Sequence, residues 1–111
     1  MGVLRLRSFA EGKWADSSGQ FTPYYSAVNG DAIAEIGSGV ADFMAMADFA
    51  RNVGGPALRK LTFHERAKML KALAQAIMAR KDELYELSYS TGATRVDSWI
   101  DIEGGAGTFF A

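Results

Sequence analysis

Cysteine is absent from this chain, which excludes disulfides, thiolate metal ligands and a cysteine nucleophile from its 111 residues. Histidine occurs once, at His64, and a lone histidine without cysteine or a placed carboxylate pair is a poor start for a metal site. No apolar run approaches the ~20 residues needed to span a bilayer, so no membrane-spanning helix is expected. The opening "MGVLRLRSFAEG" has two arginines but no long apolar core behind them, unlike a secretory signal. The expected location is therefore cytoplasmic. An excess of one charge is missing too: 12 Lys and Arg face 13 Asp and Glu, a formal net charge of -1. That balance gives no overall pull toward nucleic acid or an anionic membrane. Basic residues gather at Arg5/Arg7 and Arg80/Lys81, but acids interleave or follow them, and no nucleic-acid partner is expected.

What is present is the composition of ordinary globular protein, 49% hydrophobic and 23% charged, which argues against a disordered tail. The length allows at most one small domain. "LRLRSF" alternates as a half-buried strand does, Glu11-Gly12 marks a turn, and Lys13-Trp14 begins a second short strand. Asp16-Ser17-Ser18-Gly19 reads as a loop. Asn29-Gly30, between two strand-like runs, predicts a hairpin with a type I′ turn, and Pro23 places the first arm at a sheet edge or at a strand start.

From Ser38 the pattern turns helical, with Phe43, Met46, Ala47, Ala50 and Val53 in a stripe that Gly54-Gly55-Pro56 is expected to stop. Thr62 to Glu65 forms a capping box, followed by Ala67, Leu70, Leu73, Ala74 and Ile77 on one face. Asp82 starts another helix, with Leu84, Leu87 and Thr91 inward and Gly92 as its stop. Thr94 and Asp97 open the last one, whose large apolar residues are Val96, Trp99, Ile100, Phe109 and Phe110. Gly104, Gly105 and Gly107 are unfavourable in a helix interior by about 1 kcal/mol each relative to alanine, and suggest close approach by another backbone or a helix held by its surroundings rather than by its own propensity. The expected fold is α+β and mostly α: about four helices behind a small antiparallel β-ribbon. Residues 1–37 form the ribbon and 38–111 the helical segment of a single partial domain.

Little here carries chemistry. His64 falls in a first helical turn, facing solvent. Asp82, Glu83 and Glu86 favour the positive end of a helix, and Asp97, Asp101 and Glu103 read as a solvated face, although Asp97 and Asp101 stand one turn apart. "EGGAGTFF" is not a phosphate loop: it lacks the G-x-G-x-x-G spacing, a following Lys-Ser/Thr and a preceding strand. Tyr85, Tyr89, Trp99, Phe109 and Phe110 read as packing residues, and Met44, Met46, Met69 and Met78 as core filler. No catalytic, cofactor-binding or metal-ligating residue is expected in this chain.

The order of the pieces carries a resemblance. Phe9, Gly12, Trp14, Gly30, Asp31 and Ile36 fit the amino-terminal frame of the aldehyde dehydrogenase superfamily. The alanine-rich "VADFMAMADFARNVGG", then Thr62, Glu65, Arg66, Ala67 and Leu70, then "LKALAQAIMARKDELYELSYSTGAT", follow that superfamily's order over roughly Leu6 to Ala111. Ser26-Ala27 departs from the Asn-Pro of many relatives. "VGGPALRKLTFHERAKMLKALAQAI" and "ATRVDSWIDIEGGAGTFFA" look most like the bifunctional ring-opening enzymes of phenylacetate catabolism, which join an oxepin-CoA hydrolase to a semialdehyde dehydrogenase.

The resemblance implies an enzyme that oxidises a CoA-linked semialdehyde with NADP or NAD, by thiolate attack, hydride transfer and thioester hydrolysis. The catalytic cysteine, general base and cofactor-binding residues it implies have no counterpart within 1–111. On this reading the chain is a fragment, structural and not catalytic alone. Trp99, Phe109 and Phe110 would face polypeptide that it lacks, and would drive self-association when bare. The alternative is a stand-alone helical interaction domain that pairs through the same apolar faces. A nucleotide-binding module built on "GGAG" is disfavoured.

Overall fold

The computed structural model describes residues 2–39 and 42–111. Strands come first: β1 (Leu4–Arg5), β2 (Arg7–Ala10), β3 (Lys13–Asp16), β4 (Ser18–Tyr25) and β5 (Ala32–Gly39). Helices follow: α1 (Phe43–Phe49), α2 (Gly55–Arg59), α3 (Phe63–Ala79), α4 (Lys81–Tyr89) and α5 (Arg95–Gly107), with a 3-10 turn at Thr108–Phe110. The expected α+β class, mostly helical behind a strand region, is observed. Two compact units divide the chain: Met1–Ser26 with Gly30–Lys60, and Ala27–Asn29 with Leu61–Ala111.

In the first unit, β5 is the middle strand of a sheet ordered β1-β5-β4. β4 pairs with it antiparallel, Thr22 opposite Ile36 and Tyr24 opposite Ala34. β1 adds a short parallel pairing, Leu4 with Ala34 and Arg5 with Glu35. β4 has one partner, so Pro23 does sit on an edge strand, where its missing amide breaks no ladder. Ser18 and Gly19 belong to β4, so the expected loop at 16–19 shrinks to Ser17, whose hydroxyl donates to the Leu6 carbonyl.

The turns differ from expectation in an instructive way. The Asn29-Gly30 hairpin forms, but not as a type I′ turn. Gly30 has φ +78° whereas Asn29 is not left-handed, and the loop is closed by Ser26 N–H to Asp31 O at 2.8 Å and Gly30 N–H to Ser26 O at 2.9 Å. The type I′ signature lies instead between β2 and β3. There Glu11 (φ +53°) and Gly12 (φ +76°) are both left-handed, and Ala10 pairs with Lys13. The tight β2–β3 register holds Glu11 in a conformation that an L side chain resists by about 1 kcal/mol or more.

Strand β5 reaches Gly39 and so takes in Ser38 and Gly39 of the expected helical segment, and Val40 and Ala41 of the expected alanine-rich helix lie outside the described residues. Asp42 caps α1 by accepting from Met44 N–H at 2.9 Å and Ala45 N–H at 3.1 Å. The expected stop at Gly54-Gly55-Pro56 is not observed. Gly54 and Gly55 are right-handed (φ -64° and -56°), and helix continues to Arg59. Residues Ala50–Gly54 widen into a π turn in which Gly55 N–H donates to Ala50 O, five residues back. A proline ring normally strikes the carbonyl four residues before it, and the wider turn gives that ring room.

In the second unit both expected caps form. Glu65 N–H donates to Thr62 Oγ1 at 3.2 Å while Glu65 Oε2 accepts from Thr62 N–H at 2.6 Å. Asp97 N–H donates to Thr94 Oγ1 at 3.2 Å, and Asp97 Oδ2 accepts from Thr94 N–H at 3.0 Å. Gly92, at φ +85°, ends the turn after α4 as expected. The buried apolar residues are Ala74 of α3, Tyr85 of α4 and Ala106 of α5. Leu87, expected inward, is 60% exposed, because α4 turns Tyr85 to the interior instead.

Candidate functional site

Helices α4 and α5 pack against each other and bring together side chains ten to twenty-two residues apart in sequence. On α4, Lys81 and Tyr85 stand one turn apart. On α5, Arg95, Trp99 and Glu103 do the same, so each helix offers one aligned face. A hollow of about 360 Å³ opens there, lined by Tyr85, Arg95, Val96, Trp99 and Glu103. The Tyr85 hydroxyl donates to Glu103 Oε1 at 3.0 Å, and Lys81 Nζ lies 3.2 Å from the same oxygen. The Arg95 guanidinium sits 5.3 Å from the Tyr85 ring centroid, within cation–π range.

These contacts set the protonation of the pair. The Tyr85 hydrogen bond, then Lys81 and Arg95, hold the Glu103 carboxyl below its ordinary range against the opposing effect of burial. Burial first, then the Glu103 hydrogen bond and charge, push the Tyr85 phenol up. At neutral pH the acid is ionised and the phenol protonated, so the two form a fixed donor–acceptor clasp with neither poised as a base or nucleophile. Deeper between the helices, the fully buried Ser98 hydroxyl lies 2.9 Å from both Ser88 Oγ and the Thr94 carbonyl. No histidine or free carboxylate partners that serine pair in these contacts, so it acts as a polar bolt between helices.

The remaining candidates are scattered. His64 is exposed on the first turn of α3. Asp97 is engaged by its cap, its carboxyl lowered by the Thr94 side chain and backbone, while Asp101 is exposed on α5. Asp82 and Glu83 occupy the first turn of α4, where Glu83 pairs with Arg80 at 2.8 Å. Among the described residues no group of three His, Cys, Asp or Glu side chains converges as a metal site. The Tyr85–Glu103 clasp was not anticipated, since Tyr85 read as packing and Glu103 as solvated face. The four-residue spacing on each helix was its available signal.

Trp99, Phe109 and Phe110 are 56%, 39% and 48% exposed. Capped helices behind a short-strand region, with a clasped interior and wet aromatics, are an α+β arrangement consistent with part of a larger enzyme fold. The chain belongs to the aldehyde dehydrogenase family, whose sequence model matches residues 14–111. The 3,4-dehydroadipyl-CoA semialdehyde dehydrogenase of Aromatoleum evansii is 32% identical to it over 102 residues, or 91% of this chain. The chain spans 20% of that relative's length.

Family membership implies NAD(P) in the full-length enzyme. The glycine-rich stretch of α5 does not form a phosphate site. Gly104, Gly105 and Gly107 lie inside α5 with their amides in the helix ladder, and the amino end of α5 is closed by Thr94 and Asp97. A phosphate needs free amides at such an end. Among the described residues no helix is long and apolar enough to cross a membrane.

Proposed function

We propose that this chain is the opening segment of a cytoplasmic NAD(P)-dependent aldehyde dehydrogenase that oxidises a CoA-linked semialdehyde of aromatic catabolism, with phenylacetate breakdown as the pathway. Its two units are parts of one incomplete domain, and their role is to shape and support the enzyme. The observation that carries this reading is the family match over residues 14–111, joined to the likeness to a CoA-semialdehyde dehydrogenase over 91% of the chain. The absence of cysteine agrees with a supporting role, because the thiolate chemistry must then come from elsewhere.

The test is NADP and NAD reduction by the complete gene product that carries this segment, with 3,4-dehydroadipyl-CoA semialdehyde and with its CoA-free counterpart. Turnover that requires the CoA group is expected. Equal turnover of CoA-free aldehydes would overturn the substrate class, and no aldehyde oxidation at all would overturn the enzymatic reading. A second reading, a helical interaction domain, is favoured by the exposed Trp99, Phe109 and Phe110. Since a bare fragment is also expected to self-associate, the mass of the complete gene product separates the two: a product of about 12.0 kDa that forms a stable stoichiometric oligomer supports the interaction domain.

A further inference from the structure

Helix α3 carries a stripe at alternating spacings of three and four: Phe63, Arg66, Leu70, Leu73 and Ile77. That is the seam pattern of a helix covered by another element. In this chain the seam is largely bare. Leu70 and Leu73 are 40% and 48% exposed, and Phe63 at 84% is the most exposed of the large hydrophobic side chains described. Arg66 occupies a seam position that is otherwise apolar. Its guanidinium lies 4.8 Å from the Phe63 ring centroid. Its Nε is shielded from water yet has no hydrogen-bond partner among the described residues. Among the described residues Arg5, Arg7, Arg51 and Arg80 each pair with a carboxylate, whereas Arg66, like Arg59 and Arg95, is in no ion pair. A shielded donor without an acceptor is destabilising, and a cation near the amino end of a helix meets the like-signed end of its dipole. An incoming carboxylate removes both penalties.

We infer that Arg66 and Phe63 form a docking point for one carboxylate side chain, carried with apolar neighbours on the polypeptide that covers α3 in the complete dehydrogenase. The inference rests on the reading of this chain as part of that enzyme. The charge of Arg66 and its orphaned Nε select an acid, because a guanidinium fork grips a carboxylate through two parallel N–H donors. Phe63, Leu70 and Leu73 select apolar groups beside it. Seating the carboxylate requires the Arg66 side chain or the Phe63 ring beside it to shift, because the Nε is shielded in the 111-residue chain.

The test uses the complete gene product. Arg66→Gln removes the charge, Arg66→Lys keeps it without the fork, and Arg66→Met keeps the stem alone. Thermal midpoints are read by circular dichroism, with nicotinamide reduction followed in parallel. Glutamine and methionine are expected to lower the midpoint by several degrees, and lysine by less. A scan of Asp→Arg and Glu→Arg changes beyond residue 111 is expected to find one position that restores Arg66→Glu. A midpoint unchanged in Arg66→Gln, or no rescuing position, overturns the docking point. If Arg66→Gln fails to fold, Arg66→Met decides: parental stability there makes the arginine a packing stem only. The midpoint cycle is independent of turnover, so an inactive protein with a rescued charge swap retains the docking point and loses only the enzymatic reading.

Discussion

Among the described residues, the unit of Met1–Ser26 with Gly30–Lys60 buries Ala10 as its one core apolar side chain, while that of Ala27–Asn29 with Leu61–Ala111 buries Ala74, Tyr85 and Ala106. The first holds its strands by backbone contact. A Cβ on Gly37 would fall on the Ser18 carbonyl oxygen, and one on Gly39 would strike the Ser18 hydroxyl. Two of its ion pairs, Arg5–Glu35 and Arg7–Asp16, run across strand pairings and a third, Arg51–Asp48, along a helix, all partly exposed, where such pairs add little. The second relies on side chains: two capping boxes, the Ser88–Ser98 contact and the Tyr85–Glu103 clasp. The difference teaches where each unit is vulnerable. Adding atoms near the backbone should break the first, and altering helix ends or interior side chains should break the second.

Each unit has its own reporter, Trp14 on β3 and Trp99 on α5, so single-tryptophan versions can follow them separately. The largest effect is expected from Gly37→Ala, a loss of roughly 3 kcal/mol in the Trp14 urea transition, because backbone must move to admit the methyl group. An equal shift at Trp99 would mean that the units unfold together and would dissolve the comparison. Ala74→Leu, at a fully buried position on α3, should cost about 2 kcal/mol in the Trp99 transition by overpacking. An unchanged midpoint would show that the helices part without penalty.

Smaller losses are expected from Thr62→Ala and Thr94→Ala, about 1 kcal/mol each, read as reduced helicity and an earlier Trp99 midpoint. The smallest effect is the pH dependence, since Glu65 and Asp97 are exposed and screened by water. Glu65, Asp97 and Glu103 have carboxyls lowered by Thr62, Thr94 and Tyr85 respectively. A lowered folded value means the folded state favours the ionised form. The stability is therefore present above the unfolded carboxylate value, near about 4, and is lost as pH falls through the folded values. The raised Tyr85 phenol works the other way: its contribution is present below about 10 and lost as pH climbs through the folded value. A Trp99 midpoint that stays flat on acidification would remove the carboxylates from the account.

Legibility followed the range of the interactions. Thr62–Glu65, Thr94–Asp97 and Gly92 were readable because a cap is decided within a few residues. Pro56 misled, because the widening of the turn before it depends on how the whole run from Phe43 to Arg59 settles. Glu11-Gly12 was readable as a turn but not as the type I′ one, because Glu11 ordinarily resists left-handed backbone and the tight β2–β3 register overrides that resistance. The parallel β1–β5 pairing joins residues thirty positions apart, beyond any local periodicity. The clasp needed the pairing of two helices, and spacing on each helix supplied only half of it.

The three glycines of α5 have one more implication. At Gly104, Gly105 and Gly107 the space where a methyl would stand is open within this chain. That stretch is a strip of bare main chain on a helix surface, close enough for a neighbouring backbone to touch its Cα hydrogens. Each of the three positions is thus a depth gauge. A methyl there meets nothing in the 111-residue chain, and any collision it causes in a larger assembly measures how near the neighbour has come.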